Sequence, residues 1–157
     1  MNSNLDRNQQ DGVVLLDSVP RPASEPFLVA NERRVALAYR IAEADFERFG
    51  PFADDAEPFC IILFIDACFH LFGPPGDADL ATHPLSSHGL QSYCAHEVMN
   101  SSLVADGWNV TSEHPPLRHF VLTFQDAAFE CVAADYTVAG VYGTSDIAGR
   151  EAFALVQ

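Results

Sequence analysis

The sequence predicts a β-rich α+β fold: a single domain with a mainly antiparallel sheet of six to eight strands and one or two short helices. Three observations carry this. Val35, Leu37, Tyr39 and Ile41 recur at every second position, the period of a strand with one buried face. His119 to Gln125 alternates in the same way, with Phe120, Leu122 and Phe124 on one face. After Asp126-Ala127-Ala128 the chain returns with Phe129, Cys131 and Ala133 in phase, which predicts a hairpin. Cys60 to Leu71 is apolar on both faces and rich in β-branched and aromatic residues, as a central strand is, with a bend expected near Ala67.

The remaining elements follow in chain order. Residues 1–25 are polar around one short apolar run, Val13 to Leu16. They read as a flexible N-terminal arm, with an edge strand at most, ahead of one β-rich globular domain over 26–157. Phe27 to Ala30 and Val35 to Ile41 flank Asn31-Glu32-Arg33-Arg34 as strand, turn, strand. Glu43 to Phe49 predicts a short helix stopped by Gly50-Pro51. Gly73-Pro74-Pro75-Gly76-Asp77 breaks the chain and opens a loop through His83 and His88 to Leu90. Tyr93 to Met99 predicts a strand, Ser101 to Trp108 a short element, and Pro115-Pro116 a loop. Phe129 is expected to run as one strand to Val138. Val138 to Tyr142 and Ala152 to Val156 add one or two more strands.

Composition excludes several functions. Of 157 residues 22 are acidic and 8 basic, a net charge of -14, and every basic residue is arginine. The imbalance is a shortage of bases rather than an acidic run. No basic patch can be assembled, so neither nucleic acid nor an anionic membrane is an expected partner. Without lysine there is no Schiff-base chemistry and no P-loop. The N-terminus lacks a basic region followed by an apolar one, and the apolar stretch from Phe59 to Phe72 is too short to span a bilayer. A cytoplasmic location is expected, with Cys60, Cys68, Cys94 and Cys131 as reduced core residues. The glycosylation-like triplets at Asn100 and Asn109 are then coincidental.

Two stretches carry a resemblance. The first is Phe72-Gly73-Pro74-Pro75-Gly76-Asp77, His83-Pro84-Leu85, Gly89-Leu90, Tyr93, Glu97-Val98 and Asn100-Ser101-Ser102. The second is His119-Phe120, Thr123-Phe124, Asp126 and Phe129-Glu130-Cys131. Together they resemble an uncharacterised family of small bacterial proteins reading F-G-x-P-N-D-E, H-P-L, G-L, E-V-x-N-S and, later, H-[FY]-x-x-T-F-H-D-x-x-F-E-C. The resemblance covers roughly residues 70 to 135, and it implies shared architecture and no activity. The chain departs from the pattern at Gly76-Asp77-Ala78 and at Gln125, where the family has histidine.

Six histidines are spread along the chain: His70, His83, His88, His96, His114 and His119. His83 and His88 share the loop with Asp77 and Asp79, and are weak candidates for a divalent-metal site because nitrogen and oxygen ligands lie close together. Their spacing matches no recognisable motif, and no metal or cofactor is expected. Alternatively His83 caps a turn while Leu85 plugs into the core. Adjacent strand residues His96 and Glu97 must face opposite sides. Glu130 alternates away from Phe129 and Cys131, with His119 as a candidate neighbour across the hairpin. Asp66, inside an apolar run, must be paired (Arg40 and Arg118 are the candidates) or exposed at a bend. Trp108 is a core plug or an interface anchor. No G-x-S-x-G occurs and no cysteine adjoins a histidine, so nothing in the sequence points to a nucleophile.

Two function classes remain. One is a small acidic binding or accessory protein that recognises a protein or basic partner, comparable by analogy to immunity proteins and antitoxins, with Asp77, His83, His88 and Trp108 as contact residues. The other is a small-molecule enzyme whose site lies between the 73–90 loop and the strand carrying Asp66, with His83, His88, Asp66 and Glu130 as catalytic candidates. The enzyme requires a concave pocket where histidine and carboxylate converge. A homodimer through β edges is compatible with either.

Overall fold

Strands that are apolar on both faces need cover on both faces, and the architecture supplies it in layers. The computed structural model describes residues 11–108 and 116–157; His114 and the Asn109 triplet lie outside them, as do the first ten residues of the expected arm. Two antiparallel sheets pack face to face. One has five strands: β1 (Gly12–Leu15), β6 (Ala95–Met99), β7 (Arg118–Thr123), β8 (Ala128–Ala133) and β5 (Phe69–Gly73), in that order. The other has four: β2 (Pro22–Ala30), β3 (Arg34–Ile41), β4 (Phe59–Ile65) and β9 (Asp135–Tyr142). The helices are short: α1 (Phe46–Phe49) after a 3-10 turn, α2 (Ser102–Gly107) and α3 (Ser145–Leu155). The β-rich α+β class is as the sequence predicts, with the strands divided between two sheets rather than held in one.

The core lies between the sheets. Val35, Leu37, Tyr39, Ile41, Cys60, Ile62 and Phe64 meet Phe120, Leu122, Phe124, Phe129, Cys131 and Ala133. Phe64 sits at its centre, with ring centroids 5.4 Å from both Phe120 and Phe129. The opposite face of the four-stranded sheet presents Ala36, Ala38, Phe59, Ile61 and Leu63, covered by Ala148, Ala152 and Val156 of the C-terminal segment. Alanine on both sides brings α3 close to the sheet. The expected strand over Ala152 to Val156 is therefore corrected to helix. Thr144 caps it, accepting from the Ile147 N–H, and the spacing of Ala148 and Ala152 sets its buried stripe.

Both long apolar segments change sheets partway. The expected single strand from Cys60 to Leu71 is two strands, β4 and β5, separated by Asp66 with φ 51°. The expected strand from Phe129 to Val138 is likewise β8 and β9, broken at Ala134. The two corners are tied together: Ala134 N–H donates to the Ile65 carbonyl at 3.0 Å, and Cys68 N–H to the Val132 carbonyl at 2.9 Å. One bent ribbon thus links the sheets. The N-terminal segment is also built in. Residues 12–15 pair with β6 and β2 begins at Pro22, so the expected arm over 1–25 is structured from Gly12 onward in part. Among the described residues no helix is long and apolar enough to cross a membrane.

Candidate functional site

The outer face of the five-stranded sheet is covered by the loop of residues 74–94. Gly76 lets this loop lie on the β7–β8 turn, because a Cβ there would stand 2.7 Å from the Gln125 carbonyl oxygen. Leu85 plugs down against Val98 and Val121. Thr123 fastens the far end, donating from Oγ1 to the Gln91 carbonyl at 2.7 Å and accepting from Cys94 N–H at 3.0 Å. Strand alternation points His96, His119 and Glu130 towards this layer, away from the core.

His119, 3 % exposed, bridges two side chains through its two ring nitrogens. Nε2 is 2.5 Å from Glu130 Oε1, and Nδ1 is 2.7 Å from Ser101 Oγ. The carboxylate needs a donor, so the proton of the neutral ring belongs on Nε2 and Nδ1 is left to accept from the serine hydroxyl. Ser101 Oγ itself accepts from Val104 N–H at 3.2 Å, as N-cap of α2, which leaves its own hydrogen for His119. The second Glu130 oxygen faces His83 Nε2 at 3.9 Å. His83 Nδ1 accepts from Leu85 N–H at 3.0 Å, so the neutral ring carries its proton towards Glu130. Burial holds the His83 imidazole below its ordinary pKa, even with Glu130 opposing that shift.

A cavity of about 290 Å³ opens onto this cluster. Ser101, His119 and Glu130 line it together with Asp11, His88 and an apolar wall that includes Phe69 and Leu103. Its charged lining groups of fixed sign are the carboxylates of Asp11 and Glu130. Asp11 holds Ser102, accepting from its N–H and from its hydroxyl at 2.6 Å and 2.8 Å.

The placement of the candidates is mixed. Glu130 and His119 meet as expected, and His83 joins them from the loop while also capping the turn before Leu85. His88 reaches the cavity wall, with Nδ1 3.1 Å from the Asp11 carbonyl oxygen. Asp66 does not take part: it is an exposed corner residue. Both suggested partners are engaged elsewhere, Arg40 with Glu25 and Glu57, Arg118 with Glu97 and Asp135. The site therefore faces the strand after the corner, β5, rather than the strand before it. Asp77 lies against the hairpin turn, its N–H donating to the Gln125 carbonyl, away from the cavity. With Asp77 apart from His83 and His88, the weak metal site is not assembled, and no group of three or more potential ligands is found among the described residues. Trp108 packs on Phe69, with ring centroids 5.7 Å apart. Cys68 is exposed rather than core, since it falls in the corner between sheets.

Ser101 is the residue that sequence reasoning missed as chemistry. It carries no local nucleophile motif and is joined to its histidine only by folding. No local pattern joins the four groups: His83 comes from the loop, Ser101 from the N-cap of α2, His119 from β7 and Glu130 from β8. Neither family models, nor curated proteins, nor solved structures yield a significant match to the chain.

Proposed function

We propose that this protein is a small-molecule enzyme in which His119 is the general acid–base and Glu130 holds its tautomer. One observation carries this: the imidazole is bonded through both nitrogens to side chains at the wall of a cavity. His96 provides the internal contrast. It is fully buried on the same sheet face, but its ring bonds the Val121 carbonyl and Gln91 N–H, both backbone groups, and it lines none of the cavity. A structural histidine needs no more than that. His119 instead has the arrangement of a base and its orienting carboxylate. Carboxylates at the wall and a net charge of -14 favour a neutral or cationic substrate over an anion.

The test is turnover of a panel of neutral p-nitrophenyl esters, anilides and lactones by the wild type, His119→Gln and Glu130→Gln. The expected result is turnover that falls by roughly 100-fold or more in His119→Gln. Absence of turnover across the panel, or turnover unchanged by His119→Gln, overturns the assignment.

A protein partner in the cytoplasm is the second reading, favoured by β5. It is an outermost strand whose Leu71 and Phe72 are 57 % and 41 % exposed, on a chain that would draw a basic partner. Edge strands of this kind accept a further strand from a partner or a second copy. Sedimentation of the wild type and Leu71→Lys, alone and with co-purifying protein, distinguishes the two. A monomer with no co-purifying partner in either form counts against it.

A further inference from the structure

We infer that Ser101 is a nucleophile and that the cavity takes uncharged carboxylic esters; this deepens the assignment of His119 as base and rests on it. The hydrogen-bond accounting at Oγ points this way. With Nε2 of His119 given to Glu130, the only ring nitrogen open to Ser101 is an acceptor, 2.7 Å away. The Val104 N–H supplies the other contact to Oγ, at 3.2 Å. The hydroxyl proton is therefore directed onto an imidazole whose far side faces a carboxylate, the relation that activates a serine. One lone pair on Oγ remains for attack. Ser102, next in sequence, differs: its hydroxyl donates to the Asp11 carboxylate at 2.8 Å, and among the described residues no imidazole is hydrogen-bonded to it.

Ser101 and His119 line both the 290 Å³ cavity and a second, open cleft of about 650 Å³. An acyl group in the apolar pocket and a leaving group towards the cleft would place an ester carbonyl at Oγ. The carboxylates in the pocket argue against an anionic acyl part, and its apolar wall of Phe69, Leu85 and Leu103 favours an uncharged one over a cationic one.

The chemistry balances without any co-reactant but water. Ser101 Oγ bonds to the ester carbonyl carbon while its proton passes to His119 Nδ1. The carbon–oxygen bond to the alcohol then breaks, and His119 returns the proton to the departing oxygen. Water, losing a proton to His119 Nδ1, then bonds to the acyl carbon; the bond from that carbon to Ser101 Oγ breaks as His119 returns the proton to Oγ, giving the carboxylic acid and free Ser101.

The test is a fluorophosphonate probe with intact-mass and peptide analysis, run beside p-nitrophenyl acetate hydrolysis. Ser101→Asn is the informative variant, since asparagine caps a helix as well as serine but has no hydroxyl. Its folding is checked by urea denaturation, and Ser101→Cys serves as a second variant that restores a nucleophile for thiol-directed probes. The expected result is a single adduct on Ser101, absent in Ser101→Asn and formed at least about 100-fold more slowly in His119→Gln. Hydrolysis that depends on His119 but persists in Ser101→Asn, with no adduct, overturns the nucleophile and leaves His119 acting directly on water. Absence of both adduct and His119-dependent turnover in the wild type removes the general-base assignment as well.

Discussion

His119 and Glu130 meet on a diagonal. In the β7–β8 register His119 is opposite Val132 and Glu130 is opposite Val121, so their side chains reach across one offset to bring Nε2 within 2.5 Å of Oε1. Diagonal neighbours on one sheet face are within reach of long side chains. The contact thus depends on strand register, and a slip of β8 by one residue would turn Glu130 to the core face, away from His119.

The first prediction concerns that contact. Glu130→Ala leaves the buried His119 Nε2–H without its acceptor and removes the carboxylate that faces His83 Nε2 at 3.9 Å, which costs about 1–3 kcal/mol. Glu130→Gln keeps an oxygen for His119 and loses less. Urea denaturation of the two variants should rank Ala below Gln; equal stability would show that the carboxylate holds neither ring.

The second concerns pH. Burial lowers the pKa of both His83 and His96. The unfolded chain, with imidazoles near about 6.5, then binds more protons than the folded one below that pH, so stability falls as pH drops through this value. Above it the contribution is fully present. Each site adds at most about 1.4 kcal/mol per pH unit. The urea midpoint should be flat from pH 8 to 7 and fall between about 6.5 and 5. His83→Asn, which keeps an acceptor for Leu85 N–H, should lessen that slope; an unchanged slope would place the titration elsewhere.

The third concerns thiols. Cys60 and Cys131 are buried, and burial pushes both up to about 12. Cys94 is buried too, and only Cys68 is exposed among the four free cysteines. A thiol-exchange reagent at pH 8 should label Cys68 alone in the native protein and all four in denaturant. Burial also raises Cys68, so its labelling should quicken between pH 7 and pH 9. Rapid native labelling of Cys131 would mean that the sheets separate.

The fourth tests the core. Phe64, 1 % exposed and packed on rings from the facing sheet, should cost about 3–5 kcal/mol on change to alanine. A loss under about 1 kcal/mol in urea denaturation would be inconsistent with close packing between sheets.

Much of the fold was legible locally. The alternation of Val35 to Ile41 and of His119 to Phe124 is a property of neighbours, and those strands stand where the periodicity puts them. Where the sequence misled, the signal was ambiguous for a physical reason. Cys60 to Leu71 is apolar throughout, so nothing in it marks the residue at which cover passes from one sheet to the other. Ala152 to Val156 is an apolar run that strand and helix share, and the cap at Thr144 decides between them. At the site, alternation placed Glu130 away from the core and near His119. Nothing local could place Ser101 beside that ring, because the contact is made by α2 starting where β6 ends.

By itself the sequence determined the buried and outer faces of β3, β7 and β8, and it removed lysine-dependent and P-loop chemistry by leaving out the residue they need. Only the tertiary structure decided that two sheets share one bent ribbon, that Asp66 turns a corner, and that Ser101, His119, Glu130 and His83 converge. Periodicity is written in neighbours a few residues apart. A site is made by the pairing of segments tens of residues apart, and that pairing is set by the packing of the whole core.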